Sequence, residues 1–391
     1  MTHILIAYKQ FPAPSIGHAG GQSVYRLLEW LHQRGYQVTL VARIRQEEEH
    51  HLDAVRPLCQ ALYLVPHHGS SPGPRPLALL RSYWALRQAT IRALQETHPD
   101  LLHVEFAQTA VALWGIKYPA ASFRAHDVNW FMLRQRATQS HGVTRWVTRL
   151  GARFFRAAEP WLYRQFDLLA AISQGDRKLL APACAPHPVL LLPLAPNVQP
   201  CADTAPAVTP GANILFVGSM SREYNIQGVQ WFLAEIWPHI LAEVSEARFY
   251  IVGSGPPPEI RARADGKRVF VTGFVEELAP WYAAADVFVS PLLVAGGLLQ
   301  KVLDALAMGK AVVATPGSNH GLGATPGKEL LIADQPAAFA EAVVTLLRDS
   351  HTRDQLAAAG ERFIATYYNP AQTFEEWEQA LLQLLTVGGR Q

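Results

Sequence analysis

The chain alternates short apolar runs with longer helix-patterned stretches, and it does so twice. Ile4–Tyr8, Gln37–Ala42, Leu101–Val104, Ser122–Ala125 and Leu168–Ile172 read as buried strands, and Gly21–Gly35 reads as a helix. Asn213–Gly218, Ala247–Gly253, Val269–Gly273, Val287–Pro291 and Ala311–Thr315 then repeat the pattern. Parallel strands need long crossovers, so strands separated by helices specify a parallel sheet covered on both faces. Between the two series lies a proline-rich passage, with prolines at 182, 186, 188, 193, 196, 200, 206 and 210. Proline lacks the N–H that helix interiors and central strands require, so the domain boundary is expected there. The reading is an α/β chain of two doubly wound, Rossmann-like domains, residues 1–200 and 201–368. A tail over 369–391 carries Phe374, Trp377, Leu381 and Leu385 on one helical face.

Length and composition agree with two cores. There are 391 residues, 49% of them hydrophobic and 17% charged, which is globular rather than disordered material. The formal charge of +2 argues against a dedicated nucleic-acid binder. Cys59, Cys184 and Cys201 are odd in number and widely spaced, with neither a metal-ligand pattern nor a disulfide framework. They point to a reducing cytoplasm. The N-terminal apolar run is too short for a signal peptide, and no run is long enough to span a membrane.

In open parallel sheets, ligands bind beyond the carboxyl ends of the strands. Several stretches fall there. Gly218-Ser219 closes a strand and opens a polar loop, where bare backbone and helix N–H groups can approach a phosphate. The Gly-Ser-Gly at 253–255 runs into three prolines, lacks a third fingerprint glycine and reads as a turn. Gly296-Gly297 precede a helix-patterned run, whose N-terminus is expected to take an anion. Lys301 is placed about one turn in, within reach of a diphosphate. Asp304, at i+3 and embedded in Ala-Leu-Ala-Met-Gly, is placed to accept from ribose hydroxyls. The plainer alternative is a solvated Lys301–Asp304 pair. Arg124-Ala-His126-Asp127 follows a strand, making His126 a polar group at the strand's end, though a lone histidine also serves as a structural one. Gly20-Gly21-Gln22-Ser23 opens the first helix in the same kind of position, or is simply a turn with its cap.

Residues 123–166 carry arginines 124, 134, 136, 145, 149, 153, 156 and 164 against only Asp127 and Glu159. Trp130, Phe131, Trp146, Phe154, Phe155 and Trp161 are interleaved with them. Such a segment is a candidate contact with an anionic lipid surface at the inner face of a membrane, or a solvated face over an apolar one.

These pieces in this order resemble the GT-B glycosyltransferases, specifically the retaining family 4 and its polysaccharide-biosynthesis members. The resemblance covers nearly the whole chain. It rests on GGQSVYRLLEWLHQRGYQVTLV, FRAHDVNWFMLRQRA, DLLAAISQGDRKLL, ILFVGSMSREYNIQGVQWFLAEIWP, VTGFVEELAPWYAAADVFVSPL and GGLLQKVLDALAMGKAVVATPGSNHGL. It implies two domains facing across a cleft, with the tail crossing back to the first. It also implies transfer of a sugar from a nucleotide diphosphate sugar, with retention and without a metal or other cofactor. The donor site would comprise Gly218, Ser219, Gly273, Phe274, Gly296, Gly297, Leu298, Lys301 and Asp304; the acceptor site Gly20, Gly21, Gln22 and Asp127. His126, Lys301 and Arg222 would serve the chemistry, with His126 in place of the family's histidine beside the sugar.

The sequence departs from the family pattern in two places. The first acid of the Glu-x7-Glu signature would fall at Gly296, while Asp304 matches the second. The usual Arg-Lys phosphate pair would fall near Tyr224-Asn225, leaving Arg222 and Lys301 as the remaining cations. These departures keep two other readings open, a catalytically weak binding or scaffold protein and a sugar-nucleotide epimerase. The epimerase would need more cleft carboxylates than the sequence offers. No Asp-x-Asp occurs to clamp a diphosphate through a metal.

Overall fold

A computed structural model of the chain describes residues 2–14, 16, 19–67, 75–198, 206–293 and 297–388. The chain divides into two compact units, Met1–Leu194 with Pro370–Gln391, and Ala195–Asn369.

In unit 1 the order is β1 (His3–Tyr8), α1 (Ala19–Gln33), β2 (Gln37–Ile44), α2 (Leu52–Val55), β3 (Ala61–Pro66), α3 (Arg75–Thr97), β4 (Leu101–Glu105), α4 (Ala107–Ala112), β5 (Ala121–Ala125), α5 (Asn129–Gln139), α6 (Gly142–Tyr163), β6 (Leu168–Ala171), α7 (Gln174–Cys184) and β7 (Val189–Leu191). All pairings are parallel, in the order β3-β2-β1-β4-β5-β6-β7. β1 lies in the interior of the sheet and is buried throughout, as its sequence HILIAY requires of a strand covered on both faces. Gly35, at φ +78°, stops α1: the Gly35 amide bonds the His32 carbonyl and the Tyr36 amide reaches back to Leu31.

Unit 2 runs β8 (Asn213–Val217), α8 (Glu223–Trp231), α9 (Trp237–Glu243), β9 (Arg248–Val252), α10 (Pro258–Arg261), β10 (Val269–Gly273), α11 (Ala279–Ala284), β11 (Val287–Ser290), α12 (Gln300–Ala307), β12 (Ala311–Ala314), α13 (Pro316–His320), β13 (Leu331–Ile332), α14 (Pro336–Arg348) and α15 (Ser350–Tyr367). Its sheet is β10-β9-β8-β11-β12-β13, again parallel. A five-residue π turn, Phe232–Ile236, joins α8 to α9.

The tail helix α16 (Pro370–Gly388) belongs to unit 1. Its Phe374, Trp377 and Leu381 are buried in the same cluster as Ile4, Leu27 and Leu31. Glu378 fixes the helix by accepting from Tyr36 Oη at 2.7 Å and pairing with Arg34.

The proline-rich passage is not all linker. Pro182 lies inside α7, and Val189–Leu191 pair with β6 as an edge strand, where the neighbouring prolines leave the ladder intact. Strands β3, β7 and β13 were not foreseen from the sequence.

Candidate functional site

In unit 2 the crossovers leave in opposite directions from β8 and β11, and a crevice opens at such a switch point. Gly218 follows β8 directly. A Cβ on it would fall 2.6 Å from Lys301 Nζ and 2.9 Å from Asn225 Nδ2, so a side chain here would displace both groups. Lys301 Nζ donates to Asn225 Oδ1 at 2.5 Å and lies 4.4 Å from the centroid of the Phe216 ring. Asn225 Nδ2 in turn donates to the Ser219 carbonyl at 2.7 Å. Withdrawal from water, with no carboxylate among the described residues to offset it, lowers the Lys301 pKa to about 7.

The helix behind this lysine begins later than the glycine pair suggests. Gly297 has φ +67°, a left-handed conformation that cannot enter a helix, and α12 starts at Gln300 behind Leu299. Lys301 is therefore the second helical residue rather than one turn in. A Cβ on Gly321 would lie 1.9 Å from the Gly297 carbonyl oxygen and 2.6 Å from the Leu298 amide, so bare backbone packs against this turn. Gly296 lies outside the described residues.

Lys301 and Asp304 do not form the solvated pair that their spacing allows. Asp304 is buried, and its Oδ1 accepts from the Asn197 amide at 2.7 Å and from Gln300 Nε2 at 2.9 Å. Arg222 is exposed, and its carbonyl accepts from the Asn225 amide at the start of α8. Ser219 Oγ is bonded to Ser221 and Ser254. Gly273 closes β10 at φ +76°, and Phe274 beyond it is 75% exposed.

In unit 1 the switch lies between β1 and β4. Register sets Glu105 opposite Arg124 and His103 opposite Ser122. Arg124 puts Nη2 2.8 Å from Glu105 Oε1 and donates Nε to Oε2 at 3.0 Å. His126 Nε2 lies 2.6 Å from Glu105 Oε2, and His103 Nε2 lies 3.1 Å from Oε1. Burial alone would raise the Glu105 pKa. The Arg124 charge and the two histidine hydrogen bonds overcome it and hold the carboxyl well below its usual range. An ionised carboxylate only accepts, so both histidines donate Nε2–H. Burial, only partly offset by Glu105, lowers the His126 pKa to about 4. His126 is thus neutral near pH 7, with Nδ1 as an acceptor.

Phe106 covers this group. It has φ +71°, a costly conformation for a bulky residue, and stacks on His126 at 3.6 Å between centroids. Lys9 Nζ sits 4.0 Å from the same ring's centroid. Gly20, at the start of α1, leaves room for that ring, since a Cβ there would fall 2.9 Å from it. Gly21 follows in the same turn, and Gln22 Nε2 is committed to the Ile16 carbonyl at 2.9 Å. Burial raises the Asp127 pKa to about 6, against the pull of Lys9.

The structure thus gathers Gly218, Ser219 and Lys301 at one switch point, with Gly20, Gly21, His126 and Asp127 at the other. The sequence reading missed Glu105, Phe106 and Lys9, and it named Asn225 only as a departure from the family pattern, not as the partner of Lys301. It also placed Arg124 among the surface arginines, whereas Arg124 is fully buried on Glu105.

Residues 20–194 match the family described as Glycosyltransferase Family 4, and residues 211–349 match Glycosyl transferases group 1. Among solved structures, sucrose-phosphate synthase from Thermosynechococcus elongatus superposes with a TM-score of 0.73 at 18% identity, covering 99% of this chain and 100% of that one. HepE of Anabaena, solved in complex with UDP and glucose, superposes with a TM-score of 0.65 at 13% identity, covering 98% and 100%.

The fold is GT-B.

Both units of this GT-B chain match glycosyltransferase domains. A curated relative, an uncharacterized 44.6 kDa protein in the cps region of Klebsiella pneumoniae, is 27% identical over 170 residues. That match spans 41% of this chain and 44% of the relative. Where GT-B family 4 is expected to place its Arg-Lys pair, this chain has an exposed Tyr224 and a buried Asn225 that holds Lys301. Among the described residues, no group of three or more His, Cys, Asp or Glu side chains is clustered to hold a metal, and no helix is long and apolar enough to cross a membrane.

Proposed function

We propose that this protein transfers a sugar from a nucleotide diphosphate sugar to a glycan or lipid-linked acceptor, with retention of configuration and without a metal, in surface polysaccharide biosynthesis. The observation that carries the reading is Lys301. Its amine is held by Asn225 against bare Gly218 at the switch point of unit 2, with no acid among the described residues contributing to its charge state. A buried amine without a counter-ion is a receptor for an anion, and a diphosphate is the anion this fold is built to take. The cps-region relative supports the polysaccharide context.

Unit 2 takes the donor. Lys301, the Gly218-Ser219 backbone and the turn at Gly297-Leu298 surround the diphosphate. Gly273 and exposed Phe274 border the nucleotide, and Arg222 adds charge at the rim. Unit 1 takes the acceptor beside His126 and Asp127, with neutral His126 accepting a hydroxyl hydrogen bond at Nδ1. The bond from the anomeric carbon to the diphosphate oxygen breaks as the acceptor oxygen bonds to the same face of that carbon. The departing phosphate oxygen receives the hydroxyl proton, and Lys301 stabilises its developing charge.

Calorimetry of UDP-, GDP- and dTDP-sugars, with and without chelator, tests this reading. One nucleotide should bind in chelator, and Lys301→Ala should cost roughly 1.5–3 kcal/mol, the value of a charged hydrogen bond. Binding of none of them refutes it. The second reading, a catalytically weak sugar-nucleotide-binding or scaffold protein, rests on Asn225 standing in place of a cation. Donor binding without hydrolysis or transfer in the presence of acceptors would favour it.

A further inference from the structure

Helix α6 presents its apolar stripe outward. Val143, Trp146, Val147, Leu150, Phe154 and Trp161 recur at i, i+3, i+4, i+7, i+11 and i+18, which is one face of a helix. Val143 is 78% exposed, Trp146 72%, Leu150 69% and Phe154 66%. The face turned inward carries Thr148, Glu159 and Leu162. The 22-residue helix is about 33 Å long. The stripe therefore far exceeds the isolated apolar side chains of an ordinary surface. At its C-terminal end Trp161 packs edge-on against half-exposed Trp114, 5.4 Å between centroids, and so continues the patch onto the segment after α4.

One flank of the stripe is basic. Arg145, Arg149, Arg153 and Arg156 recur at i, i+4, i+8 and i+11 and are exposed. Arg134 and Arg136 on α5 are exposed as well. No ion pair involves any of these six among the described residues. From 107 to 164 the only acids are Asp127, half-buried, and Glu159, which is buried and accepts from the Asn129 and Trp130 amides. Between α5 and α6 a groove of about 930 Å³ is lined by Trp130, Trp146 and Leu150 together with Arg134, Arg149 and Arg153.

We propose that the outer face of α6, with the α5–α6 groove, docks this protein on an anionic lipid bilayer. Aromatic and aliphatic side chains along a helix sink into the boundary between headgroups and acyl chains, while flanking arginines meet lipid phosphates. Charge decides between occupants. A two-fold contact with a second copy would set one arginine-rich, acid-free face against another. A bilayer of anionic lipids supplies the missing counter-charge and the apolar phase together. In the chain, α5 begins three residues after His126, which the proposed function places beside the acceptor.

Flotation of the purified full-length chain with vesicles tests the proposal. Vesicles of phosphatidylcholine containing phosphatidylglycerol should recover the protein at least tenfold better than phosphatidylcholine alone, and added salt should weaken recovery. The double variant Arg149→Gln/Arg153→Gln should lose roughly 25-fold in partition, about fivefold per charge. Trp146→Glu/Leu150→Glu should lose more than tenfold. Both pairs are exposed, so thermal melting and nucleotide binding should stay at wild-type values. Equal recovery on both vesicle types, or none on either, overturns the proposal. So does a concentration-dependent dimer in sedimentation that Trp146→Glu/Leu150→Glu dissolves.

Discussion

With Lys301 on the donor diphosphate as proposed, donor affinity should depend on pH in a way that can be calculated. The Lys301 amine titrates at about 7 because it is withdrawn from water with no acid among the described residues beside it. A diphosphate within reach supplies the missing charge and raises that pKa on binding. Binding therefore takes up a proton wherever the free amine is partly neutral. Affinity is level well below pH 7, where the lysine is already charged. Above it, affinity falls tenfold per unit until the pKa of the bound form is reached. If that pKa lies above about 9, the dissociation constant rises roughly 30-fold from pH 6 to pH 8.5, or ~2 kcal/mol. A sugar nucleotide is the right probe, because its phosphates are both esterified and do not titrate over this range.

The assay is calorimetric titration across that range, repeated at pH 7 in buffers of different ionisation enthalpy. Uptake of about half a proton at pH 7 should appear as a buffer-dependent heat. Lys301→Met should bind more weakly, by roughly 1.5–3 kcal/mol at low pH, and without the pH slope. Constant affinity with buffer-independent heats would show that the amine does not meet the phosphates, and the argument from burial would fail with it.

Three further outcomes follow from the geometry. Gly218→Ala places a Cβ 2.6 Å from Lys301 Nζ, so donor affinity should drop at least tenfold while the melting temperature hardly moves; an unchanged dissociation constant counts against the site. His126 titrates at about 4 in the fold, below its ordinary value, so the unfolded chain binds more protons between the two. Its contribution to stability should be complete above about pH 6.5 and decline by up to ~1.4 kcal/mol per unit toward pH 4, as read by urea midpoints; the same slope in His126→Phe refutes the assignment. Trp377→Ala removes a ring that is 1% exposed in the core of unit 1, and should cost about 3–5 kcal/mol in urea; a loss under 1 kcal/mol would mean that α16 does not brace that unit.

The central strands were legible because a strand covered on both faces is a continuous apolar run, as in HILIAY and NILFV. β3 is only half-buried, β7 has three residues beside prolines and β13 has two, and so short or mixed a segment carries no period to read. The glycine positions were legible for the same reason that they matter, namely close backbone approach. Partners were not. Asn225 is one polar residue on a helix until α12 brings Lys301 to it, and Glu105 joins Arg124 only through the register of β4 with β5. The Lys301–Asp304 spacing suggested a shared partner. The positive φ of Gly297 instead delays the helix, and the two side chains reach Asn225 and Asn197 separately.

The two units arrive at the same local device by different connections. In unit 1, Lys9 follows β1 and lies over Phe106 at the end of β4, beside Gly20. In unit 2, Lys301 enters from α12 and lies over Phe216 of β8, beside Gly218. Burial lowers both amines, Lys9 to about 8 and Lys301 to about 7. The difference between them lies in the neighbouring charge. Asp127 raises the Lys9 pKa and is itself held near 6, so that amine already has a counter-ion inside its own unit. Among the described residues, Lys301 has the neutral amide of Asn225 and the Phe216 ring beside it, and no carboxylate offsets its burial. A neutral acceptor orients an amine without compensating its charge. Of the two lysines, Lys301 is the one whose free energy should change most when an anion arrives, and this supports the proposal that unit 2 takes the donor. Lys9 donates to Gln108 Oε1 at 3.2 Å and has the Asp127 charge acting on it, which fits the proposal that unit 1 takes an uncharged hydroxylated acceptor.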